Sequence, residues 1–311
     1  MILYNYIRGN CKEKLKRVDK IMIDLHIHTI YSDGDKTIEE ILKMCEEKKL
    51  EYISITDHDT CKQYEDETFN NNKIFTGKII KGSELHAIFQ NKNIEILAYN
   101  VNHNIINEWC KKYYSEDKLK EQQKICYQRL LDICDKHGLI YDENKIIMPI
   151  KITEYVEIPI YKEIMAHKEN HKILGEFTES FNVFFRKGLA NPTSRYFMNH
   201  VEFRPKYKEV IDIIHKAGGK AFLAHPFEYK FENIIQFIDD LMREARLDGI
   251  ECFHPSSVDE DKSELLVNYA RKNNMFICGG SDYHGKLKPD IQIGVGRGNL
   301  SISKDFVEEW L

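Results

Sequence analysis

The segment Ile21-Met-Ile-Asp-Leu-His26-Ile-His28 is the stretch that decides the fold. Its apolar and polar residues alternate with a period of two, which is the pattern of a half-buried β-strand. Thr37 then predicts the start of a helix, and residues 38–48 carry apolar side chains at helical spacing. Residues 52–56 predict the next strand. A strand, a helix and a second strand in this order indicate a mainly parallel α/β sheet with right-handed crossovers.

The same alternation of strands and helices extends along most of the chain, with one long interruption. Strands are predicted over 78–85 and 94–101, and three further helices alternate with three further strands after residue 205. Residues 105–204 break the rhythm with helical patches separated by prolines and glycines, so we expect a mostly helical insertion or cap there. The predicted organisation is a variable leader at 1–21, one α/β domain formed by 22–104 and 205–311, and the insertion at 105–204.

The composition is that of a globular protein and argues against several classes of function. The chain has 311 residues, of which 42% are hydrophobic and 31% are charged. Its 45 Lys and Arg against 50 Asp and Glu leave a net charge of −5, which argues against a protein that coats nucleic acid or binds anionic membranes. No apolar run approaches the roughly 20 residues that a membrane span requires, so we expect no membrane partner.

The cysteine pattern predicts the redox environment. Eight cysteines are scattered along the chain without a Cys-x-x-Cys pair. A disulfide scaffold is short, rich in cysteine and secreted, whereas this chain is long and its Lys-rich first twenty residues lack a signal-peptide pattern. We therefore expect reduced thiols and a cytoplasmic protein, and the sequence indicates no obligate protein partner.

Histidines and carboxylates gather at the C-terminal ends of the predicted strands. They are His26 and His28, Asp57 and His58, Glu84 and His86, His225, Glu251 and His254, and Asp282 and His284. In parallel α/β folds these strand ends meet at one edge, where active sites form. A single histidine there is more often a core or surface residue than a ligand, but six strand ends with the same property indicate a functional site.

The spacing of His26 and His28 fits a shared metal ion. Alternate residues of a strand lie on one face, about 6.5 Å apart, so both imidazoles can reach one ion. Asp33-Gly34 predicts a short turn that returns a carboxylate to the same strand end. Imidazole and carboxylate ligands together select Zn²⁺, Mn²⁺ or Fe²⁺, whereas the lack of clustered cysteines argues against a structural zinc site.

Five ordered motifs resemble those of the PHP (polymerase and histidinol phosphatase) phosphoesterases. They are His26-Ile-His28-Thr-Ile-Tyr-Ser-Asp33-Gly, Ile-Thr-Asp57-His58-Asp, Gly-Ser-Glu84, Ala-His225-Pro and Gly-Gly-Ser-Asp282-Tyr-His284-Gly. The resemblance implies a distorted (β/α)7 barrel, similar to a TIM barrel, that holds two or three divalent metal ions. The Ser-Asp33-Gly turn, the insertion and the segment around Glu95 look most like the branch of 5′-phosphatases and exonucleases.

The resemblance also implies a ligand set for each ion, formed by the histidines and carboxylates of the five motifs. The sets are His26, His28, Glu84 and Asp282 for the first ion, the bridging Glu84 with His225 for the second, and Asp33, His58 and His284 for the third. The same residues would be the catalytic ones. Clustered ions neutralise a phosphate ester and supply hydroxide at neutral pH, so no serine or cysteine nucleophile is required.

Two positions depart from the pattern of this branch. Eleven residues after the bridging glutamate the branch usually has a histidine, whereas this chain has Glu95, which would add negative charge and favour a harder ion such as Mn²⁺. We rank Glu95 first on position, and His86, on the same strand face as Glu84, is the alternative ligand. The branch also has a phosphate-facing histidine near Ser257, and His254 is the candidate to replace it.

The remaining polar residues have weaker support. Arg195 and Arg204 are candidates for binding a second phosphate, because a guanidinium forms bidentate contacts with phosphate, although solvated surface arginines are the commoner case. Asp57 is expected to orient the site rather than to bind metal. His137 is expected at the C-terminus of a helix, and His215 on a helix surface.

These observations predict a metal-dependent phosphoesterase that hydrolyses phosphate monoesters or 5′-terminal phosphodiesters of small nucleotides or short oligonucleotides. Its partner would be a small phosphorylated substrate, a nucleotide or a short RNA or DNA end. A histidinol-phosphate phosphatase is the alternative enzyme, but those relatives usually have a histidine in place of Asp33. A catalytically silent interaction module is the alternative from another class, and the near-complete ligand set argues against it.

Overall fold

The computed structural model describes residues 22–149, 155–191, 193–199, 201–257 and 260–311. The predicted leader at 1–21 lies outside the described residues. The described chain divides into two compact units. Residues up to Trp109 together with Lys206–Leu311 form the first unit, and Cys110–Pro205 form the second. The bounds of the insertion, 105–204, come from the sequence pattern and stay a prediction.

Eight strands lie in the described part of the first unit, and they pair as two sheets. The first sheet is parallel and contains, in order, β1 (Met22–Ile27), β2 (Leu50–Ile55) and β3 (Lys78–Ile79). The second sheet contains, in order, β4 (Gly82–Phe89), β5 (Lys92–Tyr99), β6 (Lys220–Leu223), β7 (Gly249–Phe253) and β8 (Phe276–Gly279). The predicted mixed α/β class is confirmed, whereas this strand pairing does not confirm a (β/α)7 barrel.

The strands β4 and β5 form an antiparallel hairpin, so the prediction of parallel strands is wrong for this part of the chain. Phe89 pairs with Lys92 across a two-residue turn. Both turn residues, Gln90 and Asn91, have positive φ angles of 48° and 62°, as a type I′ turn requires. Because such a turn reverses the chain at once, no crossover helix intervenes. The next strand, β6, pairs antiparallel with β5 and parallel with β7.

Eleven α-helices are present in the described residues. They are α1 (Ile38–Glu47), α2 (Glu67–Asn70), α3 (His103–Tyr114), α4 (Glu116–His137), α5 (Glu157–Ala166), α6 (Lys168–Leu174), α7 (Phe181–Val183), α8 (Tyr207–Lys216), α9 (Ile234–Glu244), α10 (Glu260–Lys272) and α11 (Lys304–Glu308). The first helix begins as predicted, because Thr37 and Glu40 exchange side-chain and backbone hydrogen bonds in a capping box. Within the described part of the chain, no helix is long and apolar enough to cross a membrane.

Each unit has a hydrophobic core of its own. In the first unit, Ile27 of β1 is buried in one cluster with Ile41 of α1. In the second unit, Leu130 of α4 and Ile160 of α5 are fully buried together with Tyr196. The helices of the second unit agree with the helical character expected for the middle of the chain, and the strand ends of the first unit carry the polar residues described below.

Asp24, on β1, accepts hydrogen bonds that hold distant segments of the first unit against this strand. Its buried carboxylate accepts hydrogen bonds from the backbone N–H groups of Ser281 (2.8 Å) and Gly294 (2.7 Å), and from Ser281 Oγ (2.6 Å). Burial raises the pKa of Asp24, since desolvation disfavours the charged form more than these hydrogen bonds favour it. Asp282 N also donates to His26 O at 2.8 Å, so the loop that carries Asp282 is held against β1.

We expect Asp24→Asn to lower the free energy of unfolding by about 1–3 kcal/mol, because the new amide group faces N–H donors that then lack an acceptor. Urea denaturation followed by circular dichroism measures this change. The matched control is Asp212→Asn, which removes only an exposed ion pair with Lys208 and should change the free energy by less than about 1 kcal/mol. Equal midpoints for Asp24→Asn and the wild type would contradict the role of Asp24 as a tether.

Candidate metal centre

Nine candidate ligands meet in the first unit, seven at the ends of strands or in the loops that follow them and two, Glu84 and Glu95, within β4 and β5. They are His26, His28, Asp33, His58, Glu84, Glu95, His225, Asp282 and His284. The C-terminal ends of neighbouring parallel strands meet at one edge, which brings the residues of the following loops together. Among the described residues, the nitrogen and oxygen atoms of the nine candidates form three groups, and a fourth group joins two of the candidates, His58 and Glu95, to His86; within each group the ligand atoms lie within 4.8 Å of one another.

The first group contains His26, His28, Glu84 and Asp282, which is the set that the family resemblance implies for the first ion. Glu84 Oε2 lies 3.0 Å from His26 Nε2 and 3.2 Å from His28 Nε2. Asp282 Oδ1 lies 3.4 Å from His28 Nε2. All four side chains are buried, so the group is a closed, four-ligand arrangement.

The second group contains Glu84, Glu95 and His225. His225 Nε2 lies 2.8 Å from Glu84 Oε1 and 3.2 Å from Glu95 Oε2. Among the described residues, His86 is not grouped with Glu84 and His225, but it forms a separate group with His58 and Glu95. The geometry therefore supports Glu95, which the sequence analysis ranked first, as the third member of this group.

The third group contains Asp33, His58 and His284, as the resemblance implies, and also His28. Asp33 Oδ1 lies 3.2 Å from His284 Nε2 and 3.6 Å from His28 Nδ1, and Asp33 Oδ2 lies 3.8 Å from His58 Nε2. The carboxylate of Asp33 is 46% exposed, so this group is the one most open to solvent. His28 therefore belongs to two groups, which the sequence analysis did not foresee.

The residues present fit divalent metal ions. His28 Nε2 and His58 Nδ1 are buried nitrogens without a hydrogen-bond partner, and they lie 3.2 and 3.4 Å from Glu84 Oε2. A buried polar atom that makes no hydrogen bond costs free energy, and a metal ion that accepts its lone pair removes that cost. Imidazole nitrogens with carboxylate oxygens are the donor set of Zn²⁺, Mn²⁺ and Fe²⁺.

The electrostatics of the cluster favour a bound cation. Burial opposes the ionisation of Glu84, but the neighbouring His26 and His58 hold the pKa of its carboxyl well below the ordinary value. Burial also opposes a charged His28, yet the Asp282 and Glu84 carboxylates raise its pKa to about 9. The carboxylates thus hold positive charge in the site as protons on imidazoles. Divalent ions can supply that charge instead, with release of these protons.

Two carboxylates that belong to none of the groups hold the ligands in position. Glu251 Oε1 lies 2.9 Å from His26 Nδ1, and Glu251 Oε2 accepts a hydrogen bond from His225 N at 2.7 Å. Asp57 accepts hydrogen bonds from Thr29 Oγ1 (2.7 Å) and Ser32 Oγ (2.6 Å), in the turn that leads to Asp33. The sequence predicted an orienting role for Asp57 but none for Glu251, which lies in the middle of β7.

Two nitrogen-bearing side chains contact Oδ2 of Asp282, the carboxylate oxygen other than the one that faces His28. His254 Nε2 lies 3.2 Å from Asp282 Oδ2, and Lys288 Nζ forms an ion pair with the same oxygen. Ser257 instead accepts a hydrogen bond from His254 N and donates to the backbone of its own loop. Of the two predicted phosphate contacts, His254 is therefore the one next to the ligand groups. Sequence reasoning missed Lys288, which no motif marks.

The other predicted residues lie outside the three groups. Arg195, in the second unit, donates to Ile173 O and to Tyr196 Oη, and Arg204 is half-buried in the same unit. His137 ends α4 as expected, and its Nε2 lies 2.9 Å from Arg195 O. His215, on α8, pairs with Asp248 at 2.8 Å.

Two known proteins are similar to most of the chain. The 5′-3′ exoribonuclease Rnm of Escherichia coli is 23% identical over 282 residues, which cover 88% of each chain. The phosphoribosyl 1,2-cyclic phosphate 1,2-diphosphodiesterase of Eggerthella lenta is 23% identical over 281 residues, which cover 85% of this chain and 94% of the relative.

The fold also has a counterpart among solved structures. A protein of Bifidobacterium adolescentis described as a metal-dependent phosphoesterase superposes with a TM-score of 0.64 at 21% identity, over 95% of this chain and 97% of its own. This likeness shows a shared fold. The PHP domain family itself matches residues 24–262, which include seven of the nine candidate ligands, from His26 to His225, whereas Asp282 and His284 lie beyond this range. Because this match covers more than half of the 311 residues, the chain belongs to the PHP domain family.

Proposed function

We propose that this PHP-family chain is a metal-dependent phosphoesterase, a hydrolase of ester bonds, that acts on phosphate monoesters or 5′-terminal phosphodiesters of small nucleotides or short oligonucleotides. The observation that carries the proposal is the cluster of three ligand groups, which share His28 and Glu84. The names of the Escherichia coli and Eggerthella lenta relatives, an exoribonuclease and a cyclic phosphate diphosphodiesterase, support a substrate of the nucleotide or sugar phosphate class.

The chemistry requires two or three divalent ions, Mn²⁺, Fe²⁺ or Zn²⁺, held by the three groups. When bound, such ions neutralise the charge of a phosphate ester and make hydroxide available at neutral pH. The residues of the chain hold these ions, orient the ligands and position the substrate. Glu84 joins the first two groups, Glu251 fixes the ring of His26, and His254 is placed to donate a hydrogen bond to a phosphate beside Asp282.

We also infer that the two sheets form the distorted (β/α)7 barrel of the family. Two isolated parallel bridges, Ile27 with Tyr283 and His58 with Glu84, support this inference because each joins one sheet to the other. Both bridges lie next to candidate ligands, which accords with an active site at the strand ends of a barrel.

Arg195, Arg204 and Ser257 remain proposed substrate contacts. A bisphosphate substrate offers a second phosphate, for which a guanidinium is the best-matched side chain. The Arg195 guanidinium already donates to Ile173 O and Tyr196 Oη, so binding a phosphate would require it to exchange these partners. The hydroxyl of Ser257 is likewise engaged by backbone groups.

Metal content tests the proposed centre directly. Metal-free protein that is reconstituted with Mn²⁺ and desalted should retain more than one equivalent by elemental analysis, because three separate groups of ligands are present. Retention of less than half an equivalent, in protein with a native circular dichroism spectrum, would contradict the metal centre and favour a catalytically silent interaction module.

Individual ligands can be tested next. Asp282→Asn and His28→Ala should abolish phosphate ester hydrolysis, because each removes a ligand from the shared cluster, while the far-ultraviolet circular dichroism spectrum stays unchanged. His215→Ala is the matched control, since it removes a histidine–aspartate pair outside the groups, and its activity should equal that of the wild type. An inactive, folded His215→Ala protein would show that the site has been misassigned.

A panel of phosphate esters assayed with Mn²⁺ tests the substrate class. We expect release of phosphate or 5′-mononucleotides from adenosine 3′,5′-bisphosphate and short oligonucleotides, and little turnover of histidinol phosphate, because Asp33 stands where histidinol-phosphate phosphatases usually carry a histidine. Equal turnover of histidinol phosphate and the bisphosphate would refute this substrate class.

The same assay, applied to variants of Arg195 and Arg204, tests whether either arginine binds a second phosphate. Removal of a charge-assisted contact costs about 1.5–3 kcal/mol, so Arg195→Ala or Arg204→Ala should raise KM for the bisphosphate by about tenfold or more. KM for a monophosphate is the internal control and should change little. If neither variant separates the two substrates, neither arginine binds the second phosphate.

A further inference from the structure

Three side chains beside the second group form a chain of contacts that the proposed function does not use. Asp59 Oδ2 lies 2.5 Å from His86 Nδ1, and His86 Nε2 lies 2.9 Å from Glu95 Oε1. The other oxygen of Glu95, Oε2, lies 3.2 Å from His225 Nε2. The two oxygens of Glu95 therefore face different partners, because Oε2 contacts His225 of the second group and Oε1 contacts His86.

The β4–β5 hairpin places His86 and Glu95 opposite each other. The two residues are direct partners in the antiparallel register, so their side chains leave the same face of the sheet with Cβ atoms about 5 Å apart. At this distance an imidazole and a carboxylate meet without distortion of either backbone. The contact is thus a consequence of the register, and a shift of one residue between the two strands would place the two side chains on opposite faces of the sheet.

Asp59 fixes the orientation of the His86 ring. Besides its contact with Nδ1, its carboxylate accepts a hydrogen bond from His86 N at 3.0 Å. Asp59 N donates to Glu84 O at 2.9 Å, and its φ angle is 53°. The residue is therefore held against β4 at both its backbone and its side chain. With Nδ1 directed to Asp59, the opposite nitrogen of the ring must face Glu95.

We propose that His86 is a positioning residue, which is held by Asp59 and fixes the Glu95 carboxylate in the orientation that binds the second metal ion. The inference rests on the metal centre of the proposed function. Hydrogen bonds from a neighbouring side chain commonly orient a ligating carboxylate. Among the described residues, His86 is grouped with His58 and Glu95 and not with Glu84 and His225, so its contact with the second group is through Glu95.

The contact between His86 and Glu95 accounts for a glutamate at position 95, where the resemblance implies a histidine. A glutamate has more rotatable bonds than a histidine and gives up more side-chain entropy when it is held in one orientation. The donor at His86 reduces the number of orientations that Glu95 can adopt before a metal ion binds. The contact also places His86 Nε2 beside Oε1, the oxygen of Glu95 other than the one that contacts His225.

Calorimetric titration of Mn²⁺ into metal-free protein tests the proposal without an activity assay. His86→Ala should weaken the binding of one equivalent by about 10- to 100-fold and leave the others unchanged. His86→Gln should restore the wild-type affinity, because its amide nitrogen can donate to Glu95 Oε1 from the position of Nε2. Asp59→Asn, which tolerates the positive φ angle, should weaken the same equivalent by a smaller factor.

A double-mutant cycle separates positioning from direct ligation. In a Glu95→Ala background, His86→Ala should cause no further loss of Mn²⁺ affinity, because the oriented carboxylate is already gone. His215→Ala, which removes another histidine–aspartate pair, should bind Mn²⁺ like the wild type.

Three results would overturn the proposal. They are unchanged Mn²⁺ affinity in His86→Ala, failure of His86→Gln to restore affinity, and an undiminished effect of His86→Ala in the Glu95→Ala background, which would make His86 a ligand in its own right. All three presuppose wild-type protein that binds more than one Mn²⁺. Wild-type protein that binds none would instead refute the metal centre of the proposed function.

Discussion

The structure depends on one buried carboxylate, that of Glu84. Only 1% of its side chain is exposed, and four imidazoles surround it. Its Oε2 contacts His26, His28 and His58 at 3.0–3.4 Å, and its Oε1 contacts His225 at 2.8 Å. A buried charge is tolerated only when it is paired. Every strand end that delivers one of these imidazoles must therefore reach the same point, and the sheet register has to satisfy that requirement.

The carboxylates around the metal centre are of two kinds, those that belong to the ligand groups and those that contact the ligands and their turns. Glu84, Glu95, Asp33 and Asp282 belong to the ligand groups. Glu251, Asp57 and Asp59 belong to none of them and contact the outer nitrogens or the neighbouring backbone of the histidines and turns. This division resembles the general design of metal sites, in which the partners of the ligands set the orientation of each ring. It also explains why so many acidic residues are buried in one small region.

The contacts between β1 and the last loop of the first unit connect the fold to the proposed chemistry. Asp24 and the backbone contact between Asp282 and His26 hold the last loop of the first unit against β1. That loop completes the first group, and His254 and Lys288 lie on the outer side of Asp282. Lys288 places a positive charge at this point, although the net charge of the chain is −5. The local arrangement, rather than the total charge, thus decides what the site can bind.

The sequence by itself determined the α/β rhythm, the start of α1 at Thr37, the end of α4 at His137 and the gathering of histidines and carboxylates at strand ends. These features depend on periodicity and on residues a few positions apart. Only the tertiary structure decided the antiparallel β4–β5 hairpin, the pairing of His86 with Glu95, and the roles of Glu251 and Lys288. The physical reason is distance along the chain, since His26 and Glu251 are 225 residues apart in sequence and 2.9 Å apart in space. Such a contact follows from strand order and register, which no local pattern specifies.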